Sequence, residues 1–189
     1  RLSMAKNVSV DDLVKKTKTL GLGKPDKDYY GLQGLDPNTV LYRVCRSNQD
    51  ISKDIVCKAK PGSPESKRSV NQHINSGSTH ASCFISTTAS RDVALKWAYY
   101  TKETPDNVKK RNLPIIEINL SKMSGMQELR DLINLTNQEV REHFISGATQ
   151  INRVKSSQEV LFQWRIPKRN SSGEIVFELW KNPPMPKTP

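Results

Sequence analysis

The chain has 189 residues, with 30 Lys and Arg against 19 Asp and Glu, giving a formal net charge of +11. That length suits one domain with its own hydrophobic core and is short for two. No apolar run is long enough to span a membrane, and no secretory apolar segment opens the chain. The charge points to nucleic acid, anionic lipid or an acidic nucleotide as ligand, although Lys and Arg are spread along the chain without a dense basic block.

The chain begins at Arg1 rather than Met, so the expectation is a piece cut from a longer protein. Ser9 and Asp12 form a capping pair for a helix over about 10–19, stopped by Gly21 and Gly23. Residues 24–38 read as loop, from Pro25, Gly31, Gly34 and Pro37. Residues 40–45 are β-branched and aromatic and read as a strand. A long polar loop over 46–66 and a short helix around 67–75 follow. Residues 82–88 read as a second strand. Ser90 then caps a helix over about 91–101, whose Val93, Ala94, Trp97 and Ala98 fall at helical spacing as core. A charged loop is expected over 102–113, a third strand over 114–120 and helix-like segments within 127–146. The period of two from Glu159 to Ile166 puts Val160, Phe162, Trp164 and Ile166 on one face and Glu159, Leu161, Gln163 and Arg165 on the other. A turn at 167–173 would return the chain as a hairpin partner over 174–180, with Ile175, Phe177 and Leu179 together. Short strands with helices between and around them predict an α+β domain rather than a parallel βαβ array.

The common nucleotide cradles are absent, since the sequence has neither GxGxxG after a strand nor GxxxxGK[ST]. His73, His80 and His143 lack metal-ligand spacing, and no nucleophile elbow occurs. Cys45, Cys57 and Cys83 form an odd set without a CxxC pair; the reduced state is the default, with a Cys45–Cys57 bridge conceivable. What remains is an ordered trio. Tyr42-Arg43 ends a strand, Phe84-Ile85-Ser86-Thr87-Thr88 ends another and leads into a helix, and Ser157-Gln158-Glu159-Val160-Leu161 opens a third.

This order resembles the Arg…Ser-Thr-Ser…Glu pattern of the arginine–serine–glutamate class of mono-ADP-ribosyltransferases, known from cholera- and pertussis-type toxins. Glu159 followed by Val-Leu and then Arg165-Ile166-Pro167 looks like the catalytic strand of the pertussis type, and His73 sits where such toxins carry a histidine. The resemblance covers about residues 40–167. It implies an ADP-ribosyltransferase-like fold with two small, mainly antiparallel sheets around an NAD cleft and flanking helices. Residues 1–39 would pack on a catalytic core over 40–189.

The implied chemistry matches the residue types. Cleaving the nicotinamide–ribose bond of NAD develops positive charge on the ribose, as in glycoside cleavage, and a carboxylate beside the sugar stabilises it. The resemblance gives that role to Glu159. Arg43 would pair with the pyrophosphate, for which a planar guanidinium is suited. Ser86 would orient Glu159, and Thr87 and Thr88 would shape the nicotinamide pocket. Ser157 stands where arginine-modifying members carry Glu or Gln, and on the same strand face as Glu159 it would point to the acceptor. Catalytic roles thus fall to Glu159, Ser157 and His73, and cofactor binding to Arg43, Ser86, Thr87 and Thr88. NAD is the expected co-substrate, with no metal, and the expected partner is a macromolecular acceptor, protein or nucleic acid, without a membrane span. A secreted toxin and an intracellular domain of a larger protein are both open. The alternatives are a catalytically inactive binding module on the same fold and a basic nucleic-acid-binding domain.

Overall fold

The computed structural model describes residues 34–77, 80–104, 107–110 and 112–186. The expected helix over 10–19, and with it nearly all of the 1–39 segment, lies outside the described residues.

The fold is α+β. A six-stranded sheet carries the domain: β1 (Val40–Val44), β3 (Phe84–Thr88), β6 (Ile115–Asn119), β7 (Ile133–Asn134), β8 (Glu159–Gln163) and β10 (Phe177–Leu179). Its order is β10-β6-β1-β3-β8-β7, and every neighbouring pair is antiparallel. Two two-stranded ribbons accompany it: β2 (Ile55–Val56) with β9 (Arg165–Ile166), and β4 (Tyr100–Thr104) with β5 (Asn107–Lys110). The expectation of two small sheets is therefore corrected to one larger sheet and two ribbons. The loops read at 46–66 and 102–113 each contain strand.

The helices are α1 (Val70–Ser76), α2 (Arg91–Tyr99), α3 (Gln127–Arg130), α4 (Gln138–Phe144) and α5 (Ala148–Ser157). Ser69 and Gln72 close a capping box at α1, satisfying two backbone N–H groups at the helix start. Ser90 Oγ accepts the Val93 N–H at 3.3 Å and starts α2 as expected. Replacing Ser90 by Ala is expected to cost about 1 kcal/mol, read as a lower midpoint in urea unfolding followed by circular dichroism.

One sheet face buries Leu41, Ile85, Ile118, Val160, Phe162 and Phe177 with Ile55 and Ile166 of the β2–β9 ribbon. The other packs Phe84 and Leu161 against Val70 and Ile74 of α1, Val140 of α4 and Val154 of α5. Helix α2 adds Ala94, Leu95 and Ala98 against Ile115 and Trp180. Apolar side chains on both faces make β8 a central strand, with even Glu159 buried.

Two sequence expectations fail at Trp164. Its φ of 65° interrupts the alternation that would have buried it, and it is 38 % exposed, while Val160, Phe162 and Ile166 are buried. Trp164 N–H still donates to Cys83 O at 2.7 Å, and its own carbonyl accepts from Cys57 N–H at 2.7 Å. The residue thus hands the chain from β3 to β2. The hairpin of 159–166 with 174–180 does not form. Beyond an isolated Arg169–Ile175 bridge, β10 pairs with β6, because β9 has already turned away toward β2. Ile175 and Leu179 are accordingly exposed while Phe177 is buried. Among the described residues, Cys45, Cys57 and Cys83 form no disulfide.

Candidate active site

The sheet is least tightly joined between β1 and β3. Strand β6 stays in register along all of β1, and β8 along all of β3, whereas β1 and β3 share only the Tyr42–Thr88 pair. The two strands part beyond it, and Arg43 fills the opening. Its Nη1 donates to the Ser86 carbonyl at 2.7 Å. Its Nε is buried without a hydrogen-bond partner among the described residues.

Four polar side chains meet beside this opening. The capping box fixes where α1 begins and so places His73 in the wall, 8 % exposed. His73 Nδ1 lies 2.7 Å from Ser82 Oγ, and Nε2 lies 3.0 Å from Ser86 Oγ. Ser86 also steadies the charged form of Glu159, the first residue of β8. Ser82 Oγ accepts the Phe84 N–H at 3.3 Å, which leaves its proton for Nδ1. The consistent assignment is Ser82 O–H to Nδ1, Nε2–H to Ser86 Oγ, and Ser86 O–H to the Glu159 carboxylate. A neutral imidazole fits this relay, and burial, with the charges of Arg43, Arg153 and Lys58, pushes its pKa down to about 4. Burial pushes the Glu159 pKa up, opposed by the Ser86 hydrogen bond, the Arg153 charge and the Ser157 hydroxyl.

Ser157 is corrected in its setting. It ends α5 rather than sharing a strand with Glu159, and Gln158 between them takes the left-handed conformation at φ 46°. Its Oγ still reaches Glu159 Oε2 at 3.5 Å, a long contact, and also donates to Val154 O at 3.3 Å. Thr87 and Thr88 are fully buried. Thr87 Oγ1 donates to Val160 O and Thr88 Oγ1 to Ser157 O, both at 2.7 Å. These hydroxyls therefore clamp β3 to β8 and to the end of α5, and neither lines the cleft. Arg43, Ser86, Glu159, Ser157 and His73 do line it.

The cleft holds about 750 Å³. Among the described residues, five cations face it, Arg43, Arg46, Lys58, Lys96 and Arg153, against the single carboxylate of Glu159. Arg153 comes from α5, which sequence reading missed; its Nη1 donates to Ile74 O at 3.0 Å and spans the gap to α1. Gly77 ends α1 at φ 58°, and a Cβ there would stand 3.0 Å from Arg153 Nη2, so the glycine gives the guanidinium room. Trp97, expected in the core, is 37 % exposed and lines the cleft instead. Helix α2 turns Ala94, Leu95 and Ala98 to the sheet and leaves the indole on the neighbouring face.

Among the described residues no group of His, Cys, Asp or Glu side chains is arranged to hold a metal ion. No helix among them is long and apolar enough to cross a membrane. Residues 36–176 match the family model of a domain of unknown function, DUF7587. No curated protein and no solved structure matches the chain.

Proposed function

We propose that this chain, which belongs to the DUF7587 family, is a mono-ADP-ribosyltransferase that cleaves the nicotinamide–ribose bond of NAD and passes ADP-ribose to a macromolecular acceptor. The supporting observation is the meeting of Arg43, Ser86, His73 and Glu159, from β1, β3, α1 and β8, in one basic cleft. Residues far apart in sequence share a hydrogen-bonded relay that ends on a buried carboxylate. A buried carboxylate with an oriented partner is a recognised setting for chemistry.

The chemistry follows from where the charges lie. The bond from ribose C1′ to the nicotinamide nitrogen breaks, and its electron pair leaves with nicotinamide. Positive charge grows on the ribose, and the Glu159 carboxylate stabilises it. A nucleophilic lone pair of the acceptor then closes on C1′, and the proton the acceptor loses passes to Glu159 and on to solvent. Ser86 and His73 fix the carboxylate's orientation, so its reorganisation is completed before the bond breaks. Arg43 supplies a guanidinium group for the pyrophosphate of the dinucleotide.

Incubation with NAD carrying labelled nicotinamide tests the reading. Nicotinamide is expected to be released in the presence of a chelator. Activity that vanishes with the chelator and returns with zinc would contradict the mechanism. Arg43→Lys keeps the charge but loses the planar fork and the donor to the Ser86 carbonyl. NAD binding by calorimetry should weaken roughly tenfold, the scale of one charge-assisted hydrogen bond. An unchanged affinity would remove Arg43 from the phosphate site.

A further inference from the structure

The cleft has more positive charge than a dinucleotide needs. Among the described residues, five cations face one carboxylate, while NAD brings two phosphates and a cationic nicotinamide. The charge is also graded by depth. His73 and Glu159 are buried at the floor and Arg43 is half-buried, but Arg46, Lys58, Lys96 and Arg153 are exposed. These four belong to separate segments, after β1, after β2, on α2 and on α5, so no single surface helix accounts for them. Burial and the charges of Arg46 and Arg43 push the Lys58 ammonium pKa down, so these cations lie close enough to feel one another. Beside Lys96 the indole of Trp97 stands exposed on the same cleft.

We infer that the rim formed by Arg46, Lys58, Lys96, Arg153 and Trp97 binds single-stranded nucleic acid and presents a base to the floor as the acceptor. The inference rests on the transferase reading for the transfer step but not for the binding surface. Cations that follow a phosphate backbone, next to an aromatic ring on which a base can stack, are what single-strand binding requires. An acidic polypeptide would satisfy the cations equally, but its carboxylates offer no flat face to the indole. In the transfer, an exocyclic or ring nitrogen of the base bonds to C1′ as nicotinamide leaves with the electron pair. The proton lost from that nitrogen passes through Glu159 to solvent.

The test uses the whole chain with fluorescent single-stranded DNA and RNA of about 16 nucleotides, the upper range of one binding module. Polyglutamate of equal charge serves as the competing class. Affinity for the oligonucleotide should fall roughly fiftyfold between 50 and 200 mM salt, as four phosphate contacts on a single strand imply. Arg46→Gln should weaken binding and flatten the salt slope by about 0.7. Trp97→Ala should weaken binding about tenfold with the slope unchanged, and Trp97→Phe should restore most of it, as for one stacked base. Lys122→Gln removes a charge paired with Glu174 outside the cleft and should leave affinity unchanged. Equal binding to polyglutamate, or equal weakening by Lys122→Gln, would overturn the inference. With labelled NAD present, label is expected on the oligonucleotide and not on polyglutamate. Intact NAD in every reaction with oligonucleotide affinity retained would strike the transferase reading and leave the surface standing. Nicotinamide release without oligonucleotide affinity would do the reverse.

Discussion

Glu159→Gln is expected to lower nicotinamide release at least about a hundredfold, the scale of losing a preorganised electrostatic partner of the transition state. The amide keeps the shape and can still accept from Ser86, so the relay through His73 is retained. NAD affinity should change far less, because the carboxylate acts on charge that appears only as the bond breaks. Stability moves in the opposite direction from activity. Burial raises the Glu159 pKa, so between the ordinary carboxylate value and the raised one the folded chain holds a proton there that the unfolded chain releases. Stability contributed by the protonated form is lost as pH rises from the ordinary carboxylate range through the raised value. The glutamine has no such loss, and its melting temperature at neutral pH should equal or exceed that of the unaltered protein. Parallel measurements of nicotinamide release and thermal melting separate the cases. Near-normal turnover would remove Glu159 from the chemistry, and a sharply lower melting temperature would make it a structural residue.

Acid should weaken the fold through His73. Its pKa of about 4 lies well below the ordinary 6.5. Between those values the unfolded chain takes up a proton that the folded chain refuses. The stability present above pH 6.5 is therefore lost as pH falls toward 4, by up to about 3 kcal/mol. Urea unfolding at pH 7 and pH 4.5 reads this directly. In His73→Asn the contribution from this site should vanish, so the difference between the two pH values should shrink. Baseline stability at pH 7 also falls in that variant, because the hydrogen bonds to Ser82 and Ser86 change; the pH difference is the quantity that reports on the imidazole. An unaltered difference would mean that His73 is not held neutral.

The parts of the site carried by strands were legible in the sequence. Arg43, Ser86 and Glu159 all lie in or at the start of segments rich in β-branched and aromatic residues, where residue order and period two locate side chains well. His73 was legible by position but not by burial, since Ser69 and Gln72 set the helix start and their meaning is plain only as a reciprocal cap. Helix α5 was missed because, apart from its leading alanine, Ala148–Ser157 carries only Ile151 and Val154 as apolar residues, too sparse for a periodic stripe. With it went Arg153 and the true setting of Ser157. Trp97 was misread because an i, i+4 aromatic fits a core face and a cleft wall equally well. Trp164 was misread because a positive φ at a bulky residue is set by the tertiary paths of β8 and β9, which period two does not encode.

The ends of the six-stranded sheet carry a consequence for behaviour at high concentration. Its outer strands are β10, three residues long, and β7, two residues long, and α4 packs against β7. A sheet margin this short exposes few unpaired N–H and C=O groups, so it is a poor template for a further strand from another chain. Self-association by growing the sheet from molecule to molecule is disfavoured at both margins, even though the central strands β3 and β8 are rich in the Val, Ile and Phe that drive fibril formation when bared. Their exposure requires unfolding. Aggregation of this protein should therefore follow its unfolding transition rather than its concentration in the folded state.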